Sequence, residues 1–215
     1  MYIPAHFTPD AALVDELLRN HGAADLVTMT DHGLVATLLP FIYVPPDSAD
    51  GARQGAPSLG ALHGHVARNN EQWKLAPAGE AMAIVRGPDA YISPGWYASK
   101  AENGRVVPTW NYVTAHVYGR LLVHDDPVWT ESLVRRLTLK HEANRDHPWS
   151  VDDAPRNYVE GQLRAIVGIE VEITRVEAKA KLSQNRPPAD IDGVIAGLRE
   201  RGDTASADAV EAARS

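Results

Sequence analysis

The chain has no cysteine, two phenylalanines and three methionines in 215 residues. Without thiols it forms no disulfide, holds no metal or haem through a thiolate and has no cysteine nucleophile, which suits a reducing compartment. Positive charge is also scarce. Lys and Arg number 21 against 28 Asp and Glu, a formal net charge of −7, and no basic run offsets it locally. Duplex-DNA binders neutralise phosphates with clustered cations, so direct nucleic-acid binding is not expected. No apolar run approaches the roughly 18 residues of a membrane-spanning helix. The opening Met1-Tyr2-Ile3-Pro4 lacks a charged region followed by an apolar core. A cytoplasmic protein without membrane contact is therefore expected. There is no G-x-G-x-x-G, no Walker lysine loop, no H-E-x-x-H and no G-x-S-x-G elbow. The common nucleotide-binding and hydrolase signatures are thus missing.

Hydrophobic residues make up 44% of the chain, enough for one domain of ordinary size or a domain with a small appendage. Thr8-Pro9-Asp10 reads as an N-cap, a proline at the first helical position and an acidic first turn. Leu13, Val14, Leu17 and Leu18 then make an apolar stripe that ends at Gly22. From Ala24 the period becomes strand-like: Leu26–Thr30, a turn at Asp31-His32-Gly33, then Leu34–Val44, a hairpin. Residues 45–58 have the composition of an exposed loop, and the chain re-enters a strand at Leu59. Further strands are expected over Ala81–Arg86, Tyr91–Ser93, Val106–His124 and Gly168–Val176. Helices open at Asp126-Pro127 and at Pro155, and another carries Ile191, Val194, Ile195 and Leu198 up to Gly202. Five or more strands with few long connections imply a mainly β fold, an antiparallel barrel with covering helices. The domain reading is 1–186 for the barrel with inserted helices and 187–215 for a C-terminal helical tail. Within that tail the stretch Asp203–Arg214 carries Asp203, Asp208 and Glu211 against Arg214, the wrong balance for a recognition helix.

The stretch Trp110–Arg120 is the most informative, because side chains of a strand alternate faces. Val113, Ala115, Val117 and Gly119 are small and apolar and suit an interior. Trp110, Tyr112, Thr114, His116 and Tyr118 are aromatic and polar, and suit a ligand or subunit interface. In Leu59–Arg68, His63 and His65 share a strand face, and Gly64 lets a backbone or a flat ligand approach. Imidazole pairs of this kind can ligate a metal, but no third ligand stands at a recognisable spacing. Arg68 suits bidentate capture of a phosphate or carboxylate, or else an ordinary surface salt bridge. Lys181-Leu182-Ser183-Gln184-Asn185-Arg186 gathers two cations, a hydroxyl and two amides: an anion cradle or a polar turn.

Taken together, several segments resemble the PaiB-like family, described as FMN-binding negative transcriptional regulators. They are Met1-Tyr2-Ile3-Pro4; Gly64-His65 with Asn69 and Gln72-Trp73; Gly87-Pro88 with Tyr91-Ile92-Ser93-Pro94 and Trp96-Tyr97; Val107 to Tyr112 with His116 and Tyr118-Gly119; and Lys181 to Asn185. The resemblance runs to about Leu198. It implies a split β-barrel of the flavin-reductase and pyridoxamine-oxidase kind, a homodimer and a planar cofactor at the subunit interface. Two departures stand out. Ala36-Thr37-Leu38-Leu39-Pro40 has leucine at position 38 where the family usually has histidine, and Glu71 replaces the usual proline before Gln72-Trp73.

A branch of this family, the piperazate synthases, binds haem b and closes δ-N-hydroxyornithine through an N–N bond. The resemblance to it implies an enzyme with a small amino-acid substrate. His65 would be the iron ligand, with His65, Tyr112 and His116 as catalytic groups. The cofactor would be held by Thr37, His65, Arg68, Asn69, Trp110, Asn111, Lys181, Ser183, Gln184 and Arg186, with Arg68 and Lys181 or Arg186 on the propionates. The alternative on the same fold is an FMN-binding regulator or flavin oxidoreductase, its phosphate taken by Arg68, Lys181 and Ser183.

Overall fold

The computed structural model describes residues 1–46, 59–75 and 80–214. The loop expected over 45–58 therefore lies, beyond Pro46, outside the described residues. Helix α1 covers Ala11–Asn20. Its cap is Asp10, whose Oδ1 accepts the Leu13 N–H at 2.8 Å, whereas Thr8 bonds back to the Pro4 carbonyl. The helix thus starts later than the Thr8-Pro9 pattern predicts, because the shorter carboxylate arm satisfies the orphan amide.

Strands β1 (Ala24–Thr30) and β2 (Gly33–Leu39) form the expected hairpin, with Thr30 opposite Gly33 across the two-residue turn. Gly33 has φ of 105°, which glycine adopts without steric cost. The predicted run to Val44 is broken at Pro40, which has no N–H to donate, so Phe41–Val44 is a separate strand, β3. It is followed by β4 (Ala61–Ala67). The two pieces expected around Gly87-Pro88 are one strand, β5 (Ala81–Ile92). Its pairing with β1 ends at Val85, so no β1 carbonyl asks Pro88 for a hydrogen. Helix α2 (Ser99–Asn103) leads to β6 (Thr109–His124). Helix α3 (Pro127–Glu142) starts as read from Asp126-Pro127, with the Asp126 carboxylate capping Val128 N–H at 2.9 Å. Helix α4 (Arg156–Arg164), strand β7 (Ile166–Lys181) and helices α5 (Pro188–Glu200) and α6 (Thr204–Ala212) complete the order.

The seven strands lie in the order β2-β1-β5-β6-β7-β4-β3, and the pairs β1/β2, β1/β5, β3/β4 and β4/β7 are antiparallel. The fold is mainly β with helices. Two compact units divide it: Met1–Leu17, Arg86–Ala115 and Glu177–Ser215 form the first, Leu18–Val85 and His116–Val176 the second. Helices α5 and α6 thus belong to the first unit. There Ala90, Ile92, Val113, Leu182, Val194, Leu198 and Val210 make the core. Trp96 lies against α5 where Gly193 and Gly197 leave no Cβ in its way. In the second unit Leu26, Phe41, Leu62, Val117, Leu133, Ile169 and Val171 are fully buried. A satellite of Val151, Val159 and Leu163 lies under α4.

Candidate functional site

Alternation along β6 falls as the sequence pattern requires. Val113, Ala115, Val117 and Gly119 are buried, and Tyr112, Thr114, His116 and Tyr118 stay half-buried. Trp110 is 49% exposed. Its indole N–H donates to Asp89 Oδ1 at 2.8 Å and its ring meets Tyr91 edge-on at 6.3 Å. An open groove of about 280 Å³ runs beside it, lined by Arg86, Gly87, Asp89, Trp110, Tyr112, Val113 and Thr114.

The 181–186 stretch is also in this first unit. Lys181 Nζ donates to Thr109 Oγ1. Burial pushes its ammonium below the usual lysine range, and Lys179 and Arg186 push the same way. Lys179 sits 5.5 Å from the centre of the Tyr112 ring. Ser183 has φ of 67°, uncommon for a residue with a Cβ, and its buried hydroxyl accepts from Asn111 Nδ2 at 2.9 Å. The Asn111 Oδ1 is buried without a partner among the described residues. Gln184 turns inward, accepting from Leu182 N–H and donating to the Ala180 carbonyl, both at 2.7 Å. Arg186 stacks over Tyr97 at 4.6 Å. The stretch is thus both readings at once: Ser183, Gln184 and Arg186 build a self-satisfied turn, and Lys181 is its ligand-facing cation.

In the second unit Arg68 is committed elsewhere. Its guanidinium grips both Asp125 oxygens at 3.1 and 2.6 Å and donates to the carbonyls of Arg164 and Ile166. The structure therefore gives Arg68 the salt-bridge role; the bond raises the guanidinium and lowers the Asp125 carboxyl from their usual ranges. Asn69 is exposed in the turn after β4. The neighbour that reaches a site residue is Asn70, whose Nδ2 donates to Thr37 Oγ1 at 3.0 Å. An acceptor at Asn70 two residues before Gln72 is a cap signal that would have pointed to it. His116 meets Tyr118 edge-on at 6.4 Å.

His63 and His65 lie on one face of β4, but in different surroundings. His63 Nδ1 faces Arg136 Nη2 at 3.0 Å, and Nε2 lies 3.6 Å from the wholly buried Glu170, which His124 also contacts at 2.8 Å. His65 Nδ1 is buried with no partner among the described residues, and burial pulls the imidazole below its ordinary 6.5, so it is neutral and able to ligate. Gly64 does not open the strand to a flat ligand. A Cβ there would meet the Phe41 ring at 2.8 Å; that space is filled by the protein's own core. Among the described residues no group of three His, Asp or Glu side chains is placed to hold a metal, and no helix is long and apolar enough to cross a membrane.

Comparisons agree with these motifs. The family described as "Putative FMN-binding domain" matches residues 1–175. The protease synthase and sporulation protein PAI 2 of Bacillus subtilis is 32% identical over 201 residues, covering 93% of this chain and 89% of its own. An uncharacterized protein of Emericella nidulans is 31% identical over 234 residues, covering 94% and 92%. The solved FAD and haem binding protein of Mycobacterium smegmatis aligns with a TM-score of 0.53 over 80% of this chain and 71% of its own, at 17% identity; that likeness is one of fold. The architecture is the split barrel of the flavin-reductase and pyridoxamine-oxidase kind, mainly β with helices. With its motifs in order and four fifths of its length matched, the chain belongs to the PaiB-like, FMN-binding-domain family.

Proposed function

We propose that the protein binds FMN and works as a flavin-carrying PaiB-type protein, as a homodimer in the cytoplasm. The observation that carries this reading is the first unit's combination of a groove walled by Trp110 and Tyr112 with the cations Arg86 and Lys181. A flavin presents a planar ring that stacks on aromatics and a phosphate that needs fixed positive charge. In the second unit, the Thr37 hydroxyl is a candidate partner for the cofactor. Bound FMN would supply one- and two-electron chemistry; these residues would bind and orient it. The exposed Trp110 and Tyr91 suit the aromatic anchors of a subunit interface. Asp208 and Glu211 on α6, with a net charge of −7, favour a protein partner over direct DNA contact for any regulatory output.

A second reading, a haem b enzyme that cyclises δ-N-hydroxyornithine, is favoured by the neutral, unpartnered His65 alone. The Phe41 packing against Gly64 counts against a macrocycle on that side of β4. The visible spectrum of the purified protein separates the two. Paired near-ultraviolet and blue bands are expected; a Soret band lost in His65→Ala would reverse the preference.

A further inference from the structure

Three amides and one hydroxyl in the second unit form a chain whose hydrogen-bond polarity is fixed from one end to the other. Gln72 is 1% exposed, and its side-chain nitrogen faces the carbonyls of Leu26 at 3.1 Å and Val35 at 3.3 Å, with Thr28 Oγ1 at 3.1 Å. Carbonyls only accept, so the NH2 of Gln72 must point to them. This staples the Asn70–Trp73 segment to the β1/β2 hairpin. The backbone N–H of Gln72 donates to Asn70 Oδ1 at 2.8 Å. A backbone N–H only donates, which identifies the Asn70 oxygen and turns the Asn70 NH2 toward Thr37. Thr37 Oγ1 is therefore an acceptor in this contact, and its own O–H hydrogen remains to donate. No described residue takes it.

We propose that Asn70 is a positioning residue that presents the half-buried Thr37 hydroxyl as a hydrogen-bond donor to an oxygen or nitrogen acceptor of the flavin. The inference rests on the FMN reading above and adds a residue to it. Thr37 is the ligand contact; Asn70 acts through Thr37, and Gln72 acts through Asn70. An aspartate at position 70 would keep the cap on Gln72 N–H, since aspartate is a good cap, but its second oxygen would accept from Thr37 and draw the hydroxyl hydrogen away from the cofactor.

The test is FMN and riboflavin titration of the full chain in four forms: wild type, Asn70→Asp, Thr37→Val and the double variant, each with its melting curve. Asn70→Asp is expected to weaken flavin binding about tenfold, the equivalent of one hydrogen bond, and to cost nothing further in the Thr37→Val background. A loss confined to FMN places the donated hydrogen on the phosphate, and a loss shared by riboflavin places it on the ring; either supports the inference. Wild-type affinity in Asn70→Asp, or an equal loss in the Thr37→Val background, overturns it, the latter because a new charge alone would then explain the effect. If Asn70→Asp melts early, Asn70→Ser serves instead: it keeps a cap and releases Thr37, and its smaller loss should likewise vanish with Thr37→Val. A wild-type chain that takes up no flavin would fail the FMN reading itself, an outcome distinct from all of these.

Discussion

Gly168 and Trp129 compete for one place: a Cβ on Gly168 would fall on the six-membered ring of Trp129, which also stacks on His124 at 4.1 Å and 9°. Trp129 projects from the first turn of α3, while Gly168 stands opposite His65 on the neighbouring strand β7. The glycine is thus the seat of the indole.

Gly168→Ala should destabilise the protein by about 1–3 kcal/mol, the usual cost of overpacking, and alter the fluorescence of Trp129. Urea denaturation checks it. In a Trp129→Leu background the penalty of the alanine should shrink, because the group it strikes has been shortened; an undiminished penalty would assign the cost to the β7 backbone instead.

His21 makes the fold acid-sensitive. Burial, then the charge of Lys140, pulls its imidazole from 6.5 to about 4, despite the Leu18 carbonyl that accepts from Nδ1 at 2.6 Å. The folded value lies below the unfolded one, so between them the unfolded chain binds the extra proton. Stability from this group is fully present above the unfolded value and falls as the pH drops from about 6.5 toward about 4, by roughly 3 kcal/mol at the limit. His21→Asn, which keeps a donor for Leu18, should flatten that part of the stability profile. Chemical denaturation at a series of pH values would show an unchanged slope if His21 is not responsible.

Lys181→Ala should weaken FMN retention by about tenfold at low ionic strength and less in high salt, since a charge-assisted contact is being removed. Melting of the flavin-free protein should move little, because Lys181 bonds within the fold to the Thr109 hydroxyl. Equilibrium dialysis with FMN provides the measurement, and salt-independent retention equal to wild type would remove Lys181 from the site.

Trp110→Ala should cost the dimer on the order of 2 kcal/mol or more, as expected of a buried aromatic anchor. Sedimentation equilibrium at micromolar protein reads this directly. Wild-type chains that run as flavin-loaded monomers would show that the exposed indole serves another surface.

The features legible in the sequence are those set by neighbours along the chain. The β1/β2 turn, the alternating faces of β6 and the Asp126-Pro127 helix start each depend on fewer than five residues. Contacts between distant segments were not legible. Arg68 reads as an anion clamp until Asp125, 57 residues away, is placed beside it. Gly64 reads as an opening until the Phe41 ring fills it. Asn70 was overshadowed by Asn69 because nothing local says which amide reaches Thr37. Pro40 was read through because its neighbours are strand formers; the missing N–H decides the break only when a partner strand is known.

The two glycines of α5 carry a consequence for anyone who would engineer this protein. Glycine inside a helix costs roughly 1 kcal/mol relative to alanine, and α5 accepts that at both Gly193 and Gly197, where a methyl group would strike the Trp96 carbonyl or indole. A propensity-guided search would mark both for replacement first and would be misled. On α4, by contrast, a Cβ at Gly161 would meet only the tip of Arg164 at 3.9 Å. Stabilising mutagenesis has a free position there, and the same chemical change is tolerated or ruinous according to whether a tryptophan lies against the helix.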